Sequence, residues 1–152
     1  MLGRLYDGQN CSIARTLELV GERWTLLIIR DALLGVRRFD QFLTSLGIAR
    51  NVLSDRLDRL VESGILERTQ YQERPVRWEY NLTDPGRELA LPVLALMQWG
   101  DRHLAGPDGP PRLVRHTICG GGVAQQHLCT NCGPVPGAEL AIVAGPGLHT
   151  AS

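Results

Sequence analysis

Apolar positions recur at helical spacing through the first half of the chain, and the period then changes. Ile13, Leu17 and Val20 share one side of a stretch that Ser12 can cap and Gly21 ends, which predicts a first helix over residues 12–20. Residues 22–34 carry Trp24, Leu26, Leu27, Ile28, Ile29, Leu33 and Leu34, too dense a set for a one-sided helix, so this segment is expected to be the buried central one. Phe39, Phe42, Leu43 and Leu46 predict a short third helix ended by Gly47. Val52, Leu53, Leu57, Leu60 and Val61 form the stripe of a fourth, closed by Gly64, with Arg50, Asn51, Ser54, Asp55, Arg56, Asp58 and Arg59 on its outward side.

Beyond Gly64 the alternation has a period of two, predicting strands over residues 65–71 and 75–82 with Gln72, Glu73 and Arg74 as the turn. Thr83 and Asp84 then cap a helix over residues 85–104, with Pro85 in the first turn, where its missing N–H costs nothing. Leu89, Leu91, Val93, Leu94, Leu96, Met97 and Trp99 cover much of its circumference, more than one core buries, so a partner subunit is expected to cover the rest. The candidate dimer contacts are Leu89, Val93, Leu96, Met97 and Trp99.

The expected organisation is an N-terminal arm (1–10), a DNA-binding and dimerisation domain (11–104), a linker rich in proline and glycine (105–112), a small ribbon-like domain (113–145) and a disordered tail (146–152). Within the ribbon, residues 113–118, 123–128 and 138–143 are candidate strands.

Two helices joined by a glycine turn, the second opening with arginine and amide groups, form a helix-turn-helix, whose second helix enters the DNA major groove. Two strands directly after it form a wing. The fold class is therefore mainly α with a small β wing (α+β), a winged helix-turn-helix followed by a small β zinc ribbon. Arg50, Asn51, Ser54, Arg56 and Arg59 are candidates for base edges, and Arg37, Arg38, Arg74 and Arg77 for phosphate. Each arginine has a plainer reading as a solvated surface pair, such as Asp55 with Arg59 at i, i+4.

Composition adds little to a DNA reading. Net charge is zero, and residues 37–77 hold only eight arginines against six acids. All sixteen basic residues are arginine, which suits phosphate and guanine but equally reflects GC-rich coding. A hydrophobic fraction of 43% is sufficient for a core. No apolar run could cross a bilayer and the first ten residues lack a secretory pattern, so a cytoplasmic protein is expected.

Cysteine usage is more informative. His116, Cys119, Cys129 and Cys132 give H-x2-C-x9-C-x2-C, with glycine directly after Cys119 and after Cys132. Two closely spaced ligand pairs on tight turns suit tetrahedral zinc, and a segment this poor in apolar residues could fold on the binding energy. One structural zinc ion per chain is expected, with no open position for chemistry. His127 competes with His116 as the fourth ligand, and a redox pair at Cys129 and Cys132, or free thiols, are the metal-free alternatives.

With the elements in place, the chain resembles the HxlR family of bacterial winged helix-turn-helix regulators from Cys11 to about Trp99. The resemblance rests on Cys11 before the first helix, on GERWTLLIIRDALLGVRRFDQF, on GIARNVLSDRLDRLVESGIL and on YQERPVRWEYNLTDPGREL, where Tyr71, Pro75, Tyr80, Leu82, Thr83 and Gly86 are the most specific. It implies a homodimer on palindromic operator DNA, paired through the N-terminal segment and the last long helix, and a possible thiol switch at Cys11 answering oxidants, electrophiles or another small effector. Ala49 departs from the serine common at that helix start and forgoes a cap worth ~1 kcal/mol.

No nucleophile stands beside a base, and there is no phosphate loop, so an enzyme is not expected. The alternative is a zinc-ribbon adaptor whose winged helix makes protein contacts.

Overall fold

The computed structural model describes residues 10–147; nearly all of the expected arm and the end of the expected tail lie outside the described residues. The chain divides into two compact units that meet within one helix, between Leu96 and Met97, rather than at the expected linker over 105–112.

The first unit opens with α1 (Ser12–Val20), α2 (Thr25–Leu33), α3 (Phe39–Leu46) and α4 (Arg50–Glu62). Cys11, not Ser12, occupies the N-cap of α1 and makes no side-chain cap bond. Ala14 and Val20 face inward, whereas Ile13, Leu17 and Leu19 are exposed, so the expected apolar side of α1 is largely uncovered. The helix α2 starts later than expected because residues 22–24 form a turn, with the Thr25 N–H bonded to the Glu22 carbonyl at 3.0 Å. It is central, as its density implied: Ile28, Ile29 and Ala32 are fully buried, together with Phe42 of α3 and Leu53 and Leu57 of α4. Burying side chains of this kind contributes roughly 1.5–3 kcal/mol each, and Leu60, Leu66 and Leu82 complete the same cluster. Asp31 is also buried, and Arg30 donates to its Oδ1 from Nε and Nη2 at 2.9 and 2.7 Å.

Strands β1 (Leu66–Glu73) and β2 (Val76–Leu82) pair antiparallel, with Leu66 opposite Leu82, Arg68 opposite Tyr80 and Gln70 opposite Trp78, and an irregularity at Tyr71. Only the inner end of this hairpin is buried, so its tip projects as a wing. The turn is Arg74 and Pro75 alone, shorter than the expected Gln72–Glu73–Arg74 turn. The segment before α3 adds a single bridge to β2: Arg38 pairs with Glu79, and the Tyr80 N–H bonds the Arg37 carbonyl at 2.8 Å.

Thr83 joins wing to helix, its Oγ1 accepting from the Gly86 N–H at 3.2 Å at the N-cap of α5 (Asp84–Glu88). A Cβ on Gly86 would overlap the Ile65 carbonyl oxygen, so only glycine allows this approach. The helix expected over 85–104 is two helices, α5 and α6 (Ala90–His103), parted at Leu89. Pro92 accounts for the break, since its ring collides with the carbonyl four residues earlier, at Glu88, and it has no N–H to offer.

The second unit holds the end of α6, the hairpin β3 (His127–Cys129) with β4 (Gly133–Val135), and a 3-10 turn at Gly137–Glu139. Most of the expected strands are absent: of 113–118 and 123–128 only His127 and Leu128 enter a strand, Arg115 merely bridging Gly122, and 138–143 has no opposing strand. Three consecutive glycines at 120–122 supply no side chains to pack a sheet. No helix among the described residues is long and apolar enough to cross a membrane.

Candidate nucleic-acid interface

The helix-turn-helix is closed by Gly47, whose left-handed φ of 62° turns the chain as its N–H bonds the Leu43 carbonyl at 2.9 Å. Ala49 then takes the N-cap of α4 in an extended conformation, and no side chain caps this end, Asn51 included. The first bond inside α4 runs from the Leu53 N–H to the Ala49 carbonyl, which leaves the three preceding amides facing outward without an intrahelical partner. Arg50, Asn51 and Ser54 are exposed on this first turn, while Leu53, Leu57 and Leu60 anchor the opposite side.

Two arginines are held on aromatic rings at this surface. Arg50 lies over Phe39 at 5.5 Å from the ring centroid and pairs with Asp40 at 3.0 Å, so the starts of α3 and α4 are tied together. Arg38 lies over Tyr71 at 4.4 Å and pairs with Glu79 at 2.9 Å. Arg74 and Arg77 are exposed at the wing, and among the described residues neither makes an ion pair. Arg38, Arg50 and Arg77 line one open groove of about 470 Å³ with Phe39, Tyr71 and Trp78, so helix and wing arginines share a surface.

Three more of the predicted contacts, Arg56, Arg37 and Arg59, have partners within the chain. Arg56 is not outward: its side chain is 14% exposed and its Nη2 pairs with Glu22 at 3.1 Å, with Asp55 at 2.9 Å from Nη1. Its place on α4, at the margin between stripe and surface, lets a long side chain fold back. Arg37 donates from Nη1 to the Ala32 and Val36 carbonyls at 2.6 and 3.1 Å, satisfying the end of α2. Arg59 makes the i, i+4 pair with Asp55 at 3.3 Å that the sequence offers as the plainer reading. Arg68 was not among the candidates, yet it lies on the wing over Trp78 at 4.9 Å, 3.9 Å from Asp58; the strand alternation was the signal for it.

Tyr80 sits behind this surface, and burial first, then the charge of Asp58, raises its phenol above the ordinary value near 10, with Arg68 opposing. Cys11 is exposed. Of the candidate dimer contacts, Leu89 and Val93 pack against the chain's own core, Met97 is half-buried, and Leu96 and Trp99 are exposed.

The four candidate zinc ligands fall on two turns. His116 Nδ1 is 3.1 Å from Cys119 Sγ, and the Cys129 sulfur accepts from the N–H groups of Asn131 and Cys132 and from the Cys132 thiol. Those hydrogen bonds, the Asn131 amide first, hold the Cys129 thiol below its ordinary value. Among the described residues no three such donors are gathered closely enough to hold a metal ion. His127 lies beside Gly137.

Known proteins share the fold. The family model HxlR, described as HxlR-like helix-turn-helix, matches residues 19–107. The HTH-type transcriptional regulator Rv3095 of Mycobacterium tuberculosis is 50% identical over 132 residues, 87% of this chain and 82% of its own. The crystal structure of PA1607, a candidate transcription factor, superposes with a TM-score of 0.80 at 33% identity over 91% of this chain and 97% of its own. The redox regulator HypR in its reduced form matches at a TM-score of 0.57 and 30% identity over 60% of this chain and 92% of its own. The coverage by PA1607 exceeds what residues up to 107 alone could supply, so the likeness takes in part of the C-terminal unit. The chain belongs to the HxlR-like helix-turn-helix family and is a transcriptional regulator of winged-helix type.

Proposed function

We propose that the protein acts in the bacterial cytoplasm as a homodimer that binds a palindromic operator in double-stranded DNA. The observation that carries this reading is the groove shared by Arg38, Arg50 and Arg77, which puts the start of α4 and the wing on one cationic face. Arg50 and Asn51, beside the uncapped amides, are set to enter the major groove; arginine reads guanine O6 and N7, and asparagine reads adenine. Arg38, Arg74 and Arg77 hold phosphates. Exchange of the solvent-exposed Asp40 for a DNA phosphate costs Arg50 little, because such pairs are weak in water.

Dimer formation is supported by the uncovered apolar surface of α1 and α6, where Ile13, Leu17, Leu91 and Leu96 are exposed. Cys11 stands exposed at the N-cap of α1, two residues before the exposed Ile13, so its modification by an oxidant or electrophile would alter the end of that helix. HypR, which shares the fold, is a redox regulator. A footprint on the DNA upstream of the protein's own gene tests the reading. A protected inverted repeat, weakened by diamide in wild type but not in Cys11→Ser, is expected; no sequence-selective protection would overturn it.

A further inference from the structure

We infer that His116, Cys119, Cys129 and Cys132 bind one zinc ion, which joins the two turns of the C-terminal unit. This inference does not rest on the DNA-binding reading.

The two turns share a positive-φ glycine directly after the second donor. In the first, the His116 N–H bonds the Gly121 carbonyl and the Gly120 N–H bonds the His116 carbonyl, each at 2.8 Å, bringing His116 Nδ1 to Cys119 Sγ. In the second, Cys129 opposes Gly133 across β3 and β4. A glycine with positive φ follows the second donor of each pair, Gly120 at 72° and Gly133 at 86°. At the first turn a Cβ on the next residue, Gly121, would crowd the Cys119 sulfur at 3.3 Å.

The second observation concerns what holds this unit together. Among the described residues after Leu82 no large apolar side chain is buried; Ile118, Leu128 and Ile142 are all exposed. A small unit without an apolar core needs a staple, and none of its cysteines forms a disulfide. The donors stand as two pairs and, among the described residues, no three are gathered to hold an ion, so zinc binding requires the two turns to close on it. Tetrahedral zinc with Zn–S near 2.3 Å and Zn–N near 2.0 Å sets neighbouring ligand atoms about 3.5 Å apart, a small adjustment for His116 and Cys119. Three soft thiolates favour zinc over magnesium or calcium. Binding replaces three thiol protons, which are released, and leaves histidine neutral with Nδ1 as donor.

Metal analysis of the full chain, purified in reducing buffer without chelator, tests the site. About one zinc per chain is expected, falling roughly tenfold or more in Cys119→Ser, Cys132→Ser and His116→Ala and unchanged in His127→Ala. Zinc-free wild type titrated with cobalt should develop thiolate charge-transfer absorption. A helical circular-dichroism spectrum and a cooperative melt for each variant report that the first unit is folded. Wild type without stoichiometric zinc and without a cobalt–thiolate signal overturns the inference, as does a Cys129–Cys132 disulfide in its place. Zinc retained in both cysteine variants, or lost in His127→Ala but kept in His116→Ala, overturns the ligand assignment.

Discussion

Arg56 Nη2 lies 3.1 Å from Glu22 Oε2, tying the middle of the recognition helix to the turn before the central helix. The charge sits mostly inside the protein, and its Nε, buried among the described groups, has no hydrogen-bond partner. Arg56 therefore serves the fold, whereas Arg50, six residues earlier and 69% exposed, is held by an exposed pair with Asp40.

Arg56→Ala should lower stability by roughly 1–3 kcal/mol, the range for a charge-assisted hydrogen bond, held toward the low end because Glu22 is 41% exposed. Operator preference should be unchanged once the folded fraction is taken into account. Chemical denaturation alongside DNA titration checks both halves, and unaltered stability with relaxed base preference would refute the assignment.

Ala49 leaves α4 without a cap, and its extended backbone, φ −66° and ψ 143°, is that of an ordinary N-cap residue. Ala49→Ser should supply a hydroxyl to the Val52 N–H and stabilise the domain by about 1 kcal/mol. A rise in melting temperature of about 4–8 °C is expected for a unit of this size, and an unchanged or lower value would count against the cap.

Tyr80 makes stability depend on alkaline pH. Its folded pKa is raised, so the unfolded chain ionises first, and the stability held below pH ~10 is lost as pH rises toward the folded value. Unfolding followed from pH 8 to 11 should show the decline, with a shallower slope in Tyr80→Phe. Equal slopes would mean that burial of this phenol does not govern the loss.

The helix-turn-helix and wing were legible because their apolar periods are clean: Leu53, Leu57 and Leu60 fall on the core at one spacing, and the strands alternate at another. Side-chain direction was less legible. Arg56 and Arg59 are three residues apart on α4 and equally polar in sequence, and only the position of Glu22, 34 residues earlier, draws one inward. The bridge between Arg38 and Glu79 left no trace in the sequence, since a single bridge has no period to detect. The break at Leu89 was available from Pro92 but masked by the continuous apolar pattern around it. In the C-terminal unit, where no apolar side chain is buried, periodicity had nothing to report, while the spacing of histidine and cysteine still marked both turns.

The central claim is that Arg50 reads bases while the wing arginines hold phosphate. Titrating wild type, Arg50→Ala and Arg74→Ala against operator and scrambled duplexes at several salt concentrations tests it most directly. Arg50→Ala should lose roughly 1–3 kcal/mol on operator and little on scrambled DNA. Arg74→Ala should weaken both duplexes alike and reduce the salt slope by about one. Binding curves for both variants that match wild type at every salt concentration would contradict the account.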